Sequence, residues 1–209
     1  MTIIEQLQQF ENDEMDSWYD LSDKKSNRFL KDIVKLAKED LPKLRAYCES
    51  VLPSEFSSLS IVYEALSEYS AQHNEFLYEE IQRVVNLAKN KQIKPAYLEV
   101  LTDIEPEDIY SKDEEVYVKM MNFMTENLHL TNDTKFNVEL LDVIDWFLIE
   151  LDEDDDILQA PQWIERIVNL VENGDAKVKI KARDVLKDVS GAPSYSGPSF
   201  LDRLKAIFS

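Results

Sequence analysis

Side chains able to do chemistry are few in this 209-residue chain, and their spacing serves chemistry poorly. His73 and His129 lie far apart, neither beside a nucleophile motif, and no His-Glu-x-x-His spacing occurs. A zinc hydrolase or a Ser-His-Asp triad therefore has no support. Cys48 is the single cysteine, which excludes an internal disulfide and a cysteine-rich zinc site, fits a reducing compartment, and reads as a small buried residue. Carboxylates are abundant. Glu139-x-x-Asp142 and Glu150-x-x-Glu153 have the spacing with which helical nucleotide hydrolases hold magnesium, but both pairs lie on the outer face of one helix, with Lys119 and Lys135 alone nearby in sequence to receive phosphate. The run Asp152-Glu153-Asp154-Asp155-Asp156 fails as an EF-hand, because Ile157 stands where the loop glycine belongs and Trp163 where the bidentate acid belongs; it reads as a solvated loop. The three glycines are Gly174, Gly191 and Gly197, so Gly-rich phosphate loops are excluded. No cofactor and no metal are implied, and the chain reads as a non-enzyme.

Apolar residues recur at helical spacing almost throughout, which predicts an all-α protein. Phe29, Leu30, Ile33, Val34, Leu36 and Ala37 mark a helix from Ser26, and Pro42 begins the next, which ends before Pro53. A helix from Ser54 onward carries Leu59, Val62, Tyr63, Leu66 and Tyr69 on one side; another, from about Asn74, carries Leu77, Ile81, Val84, Val85 and Ala88. Pro95 and Pro106 bracket a short helical piece, and 113–127 carries Val116, Met120, Phe123 and Met124. The longest helix is predicted over 133–151, followed by helices at 160–171 and 175–189. No apolar run approaches the roughly 20 residues of a membrane span, and the amino terminus lacks a basic, then apolar, targeting segment. The expectation is a cytoplasmic protein without membrane contact.

The helices come in pairs joined by a few residues, with a pair about every 35 to 45 residues, the period of helical-hairpin solenoids. In the last pair Asn173-Gly174 makes the turn, with the glycine placed for a left-handed helix end, and Asp175 caps the next helix. That helix reads Asp175-x-x-Val178-Lys179-x-x-Ala182-x-x-x-Leu186 and resembles the second helix of a HEAT repeat; Asp113 and Val116 repeat its first two positions, but Met120 departs from it. The resemblance implies a short solenoid of antiparallel hairpins over 1–189, the alternative being a compact helical bundle. A Ser/Gly/Pro-rich linker at 190–199 and a short amphipathic helix at 200–209, with Leu201, Leu204 and Ile207 on one side, complete the predicted organisation. That helix either caps the array or docks on a partner.

With 42 acidic against 23 basic side chains, the chain has a formal charge of −19. Residues 99–156 account for most of it, with 19 acids and 3 bases, whereas 157–209 carry 6 and 8. Such a field repels nucleic acid and accelerates encounter with a basic protein. HEAT-like base-excision glycosylases need a basic concave surface, the reverse of this. On the long helix, with Ile144 inward, Leu140, Phe147, Leu148 and Leu151 share the buried side, while Glu139, Asp142, Glu150 and Glu153 cluster opposite. Trp146 and Ile149 lie among the acids, as in an interface hot spot with an apolar anchor and a charged rim; the alternative is that Trp146 packs on a neighbouring helix. The partner-binding set is thus Trp146 and Ile149 as anchors, with Glu139, Asp142, Asp145, Glu150 and Glu153 as rim. In type, a small acidic binder of this kind is similar to bacterial immunity proteins and antitoxins that neutralise basic nuclease toxins. A structural adaptor that docks through its tail is the competing expectation.

Overall fold

The computed structural model describes residues 1–149 and 161–190, whose regular elements are all helices, with no strand among the described residues. The acidic run at 152–156 and the expected terminal helix at 200–209 lie outside the described residues, as does the linker except for Ser190, which ends a helix.

Helix α1 (Ile3–Asn12) opens with a capping box: Thr2 Oγ1 accepts from the Glu5 amide, and the Glu5 carboxylate accepts from the Thr2 amide at 2.7 Å. A short α2 (Asp16–Tyr19) leads into α3 (Asp23–Ser50). Phe10, Trp18 and Phe29 join these three helices, Phe10 meeting both other rings edge to face and Trp18 lying tilted against Phe29. The proline break is present: α3 kinks at Asp40, whose Oδ1 accepts from the Lys43 amide and so caps the half of the helix that carries Pro42.

Helix α4 (Leu59–Tyr69) starts five residues later than the predicted Ser54. The Glu11 carboxylate binds both the amide and the hydroxyl of Ser58, and Tyr47 Oη contacts the same hydroxyl. These tertiary contacts hold Ser58 at the helix entrance. Nor is α4 one-sided, since Ile61, Ala65 and Ser67 are buried along with the expected stripe. Helix α5 (Asn74–Lys89) begins as predicted, and its Glu80 is satisfied inside the core by Arg83 at 2.7 Å and by Tyr63 Oη at 2.9 Å. A run of 3₁₀ turns (Pro95–Asp103), then α6 (Pro106–Lys112) and α7 (Glu114–Glu126), follow the two prolines. Asp113 caps α7 by accepting from the Val116 amide, as Asp175 does from Val178 at the start of α10.

Helices α8 (Thr134–Ile149), α9 (Pro161–Asn173) and α10 (Ala176–Ser190) complete the described chain. Two rows of contacts run through the body. In one, α5 packs on α7 and α7 on α9; in the other, α4 packs on the 3₁₀ run, that run on α8, and α8 on α10. The turn between α9 and α10 corrects an expectation. Gly174 has no positive φ; its amide continues the helical pattern to the Leu170 carbonyl, and a Cβ there would lie 2.5 Å from that oxygen and 3.1 Å from Val178 Cγ1. Close approach, and not a left-handed backbone, is what excludes a side chain. No helix among the described residues is long and apolar enough to cross a membrane.

Candidate functional site: an acidic face with a tryptophan cleft

The row formed by α4, the 3₁₀ run, α8 and α10 brings acids together that are remote in sequence. Asp103 is half-buried beside Glu64 of α4, Glu99 of the 3₁₀ run and Glu105. Burial first, and then these three carboxylates, push Asp103 up to about 7, against a hydrogen bond from Ser60 that favours the charged form. Glu64 is raised by burial and by Glu68 and Glu105. Glu139 is raised by burial and by Asp142 and Glu99, with Lys135 opposing. The influence of Glu99 on both Asp103 and Glu139 places the acids of the 3₁₀ run and of α8 within one electrostatic neighbourhood.

Next to this cluster is a cleft of about 470 Å³ between the 3₁₀ run, α8 and α10, lined by Glu99, Thr102, Glu139, Asp142, Trp146 and Ile149, with Lys181 from α10. Of the seven residues predicted to bind a partner, Glu139, Asp142, Asp145, Trp146 and Ile149 all line it, while Glu150 and Glu153 lie outside the described residues. Helix α8 is buried on more than one side, through Phe136, Leu140, Leu141, Val143, Ile144, Phe147 and Leu148. Two positions therefore differ from a simple outer face. Asp145 is buried, 8% exposed, and accepts from Lys181 at 2.7 Å; Asp142, exposed, meets the same ammonium at 2.6 Å. Burial lowers the Lys181 ammonium, but its hydrogen bonds to the two aspartates win and hold it above its ordinary value. Trp146 is half-buried, its indole Nε1 donating to the Ile104 carbonyl at 3.1 Å, so its ring is fixed as one wall of the cleft. Ile149 remains exposed, at 54%.

Sequence reasoning missed Glu64, Glu99, Asp103 and Lys181. Glu64 and Lys181 lie outside the block of concentrated acid, and no periodicity reports which helices stack. The candidates for chemistry stand apart from this face. Cys48 is free and buried, and burial drives its thiol far above the ordinary range. His73 is buried with Nδ1 at 2.6 Å from Ser70 Oγ, and burial lowers it. No group of three or more potential metal ligands occurs among the described residues. Comparison with protein-family models, curated proteins and solved structures finds no match.

Proposed function

We propose that this protein is a non-catalytic, cytoplasmic binding module whose acidic face neutralises a basic protein, of the kind represented by a nuclease-like toxin domain, by covering the surface that would otherwise hold nucleic acid. We read the two rows of helix contacts as a short stack of hairpins that presents this face. One observation carries the reading: carboxylates from α4, the 3₁₀ run and α8 converge on one face although burial, and then their mutual repulsion, raises Asp103, Glu64 and Glu139. A fold gains nothing from such a grouping by itself, whereas a cationic partner would relieve it. The Trp146 ring and the exposed Ile149 supply an apolar centre beside the charge, the composition of a hot spot with a polar rim. A structural adaptor that docks through residues 190–209 is the competing reading, and binding kinetics separate the two.

The test is association with a basic nuclease domain followed by stopped-flow fluorescence over a range of salt. The expected on-rate is above about 10⁷ M⁻¹s⁻¹ at low salt and falls steeply as salt rises. Glu99→Gln combined with Glu139→Gln should slow association, and Trp146→Ala should speed dissociation. Salt-insensitive binding that is lost on deleting 190–209 would establish the adaptor instead. Magnesium-dependent nucleotide turnover abolished by Glu139→Gln would replace both with an enzyme.

A further inference from the structure

Residues 81–98 hold Arg83, Lys89, Lys91 and Lys94 and not one acid, in a chain with 42 acids to 23 bases. The fold brings part of this stretch against the α7–α8 connection, forming a cleft of about 790 Å³ whose cationic lining is Lys89, Lys91 and Lys135, with Asp133 its acid. Asp133 Oδ1 accepts from the Lys135 amide at 2.9 Å. Lys89 Nζ rests on a neutral partner, Asn127 Oδ1, at 2.8 Å. Among the described residues neither Lys91 Nζ nor Lys135 Nζ has a hydrogen bond or ion pair, whereas Lys112, Lys119 and Lys181 each pair with a carboxylate.

Two features show that the wall is built and not simply loose surface. Asn132 Nδ2 donates to the Asn127 carbonyl and to Asn137 Oδ1, and Asn137 Nδ2 donates to the His129 carbonyl, so a ladder of asparagines orders the loop that leads into the first turn of α8, where Lys135 sits. Lys91 has φ 59° at the end of α5, where its amide bonds to the Ala88 carbonyl and the Gln92 amide to Leu87. This is the left-handed helix-end position that glycine or asparagine fills without cost. A lysine there carries backbone strain while its side chain lines the cleft, and strain of this kind collects at binding sites.

We propose that this cleft binds the phosphate monoester of a small molecule, with Lys91 and Lys135 holding the dianion and Ile93, Pro95 and Phe136 receiving the organic part. The volume is that of a small-ligand pocket. Ammonium groups act as point charges toward phosphate, and several converging on one anion match a dianion better than a monoanion. The cleft shares no lining residue with the tryptophan cleft, although Lys135 also acts electrostatically on Glu139 of the acidic face, and the proposal does not depend on the proposed partner.

The experiment is an amide NMR titration of the full chain with phenyl phosphate, alongside inorganic phosphate, phenol and benzoate. Phenyl phosphate should give saturable shifts confined to amides around 88–95 and 131–136, with inorganic phosphate weaker and phenol and benzoate weaker still. Lys91→Gln combined with Lys135→Gln should weaken phenyl phosphate at least about tenfold, a loss equivalent to about 1.4 kcal/mol, with the remaining spectrum unchanged. Lys91→Gly separates binding from folding: it should melt no lower than the parent, since the backbone strain is relieved, and still bind several-fold more weakly. Shifts that do not saturate, benzoate binding as tightly as phenyl phosphate, or undiminished binding by the double variant would overturn the proposal.

Discussion

Two groups of acids in this protein are treated in opposite ways. Glu80, 3% exposed in the core, is met by the Arg83 guanidinium and by the Tyr63 hydroxyl. Asp103, half-buried on the acidic face, is pushed up to about 7 by burial first and then by its charged neighbours Glu64, Glu99 and Glu105. The core arrangement satisfies a buried charge and holds α4 to α5. The surface arrangement opposes folding at neutral pH, and its retention on a face bordered by Trp146 is what a binding role would explain. Between these extremes stands Asp145, buried on α8 and paired with the cleft's Lys181.

Removing cations or charges in order of burial tests this contrast. Arg83→Leu strands Glu80 in the core and should destabilise the chain by about 3–5 kcal/mol in urea unfolding; a change under about 1 kcal/mol would show that the core pair and the surface acids are not different in kind. Lys181→Gln leaves Asp145 without its ammonium and should cost about 1–3 kcal/mol, while strengthening the negative field and so speeding association with a basic protein. Asp103→Asn should do the reverse of a typical buried substitution and raise the melting temperature at pH 7 by about 2–4 °C, the equivalent of about 1 kcal/mol in a chain of this size. The pH dependence follows from the same residue. Its ordinary value is 3.8 and its folded value about 7, so between those limits the folded state binds the extra proton and stability falls as pH rises. Asp103→Asn should flatten that slope in thermal melts from pH 4 to pH 7. Glu99→Gln, at an exposed position, should change stability by less than about 0.5 kcal/mol and act instead on the association rate.

Much of the fold was legible. The proline break in α3, the start of α5 at Asn74 and the capping Asp175 follow from local rules, because proline geometry and side-chain caps act within a few residues. The start of α4 was not, since Glu11 and Tyr47 set it from far away in sequence. The role of Gly174 was misread for a related reason: its constraint comes from the Leu170 carbonyl and the Val178 side chain, and not from its own φ. A Gly174→Ala substitution should accordingly cost about 1–3 kcal/mol through overpacking.

For the site, sequence located Trp146 and the acids of α8, because a helical wheel orders residues around one axis. It could not place Asp145 toward α10, nor join Glu64 and Glu99 to Glu139, because a wheel has no information about the neighbouring helix. What sequence by itself determined is therefore the helical class, the local helix stops and the charge each segment carries, all consequences of short-range geometry and composition. Only the tertiary structure decided which acids share a face, which of them Lys181 neutralises, and that lysines from the end of α5 and the start of α8 meet at one cleft, because those outcomes depend on which helices stack on which.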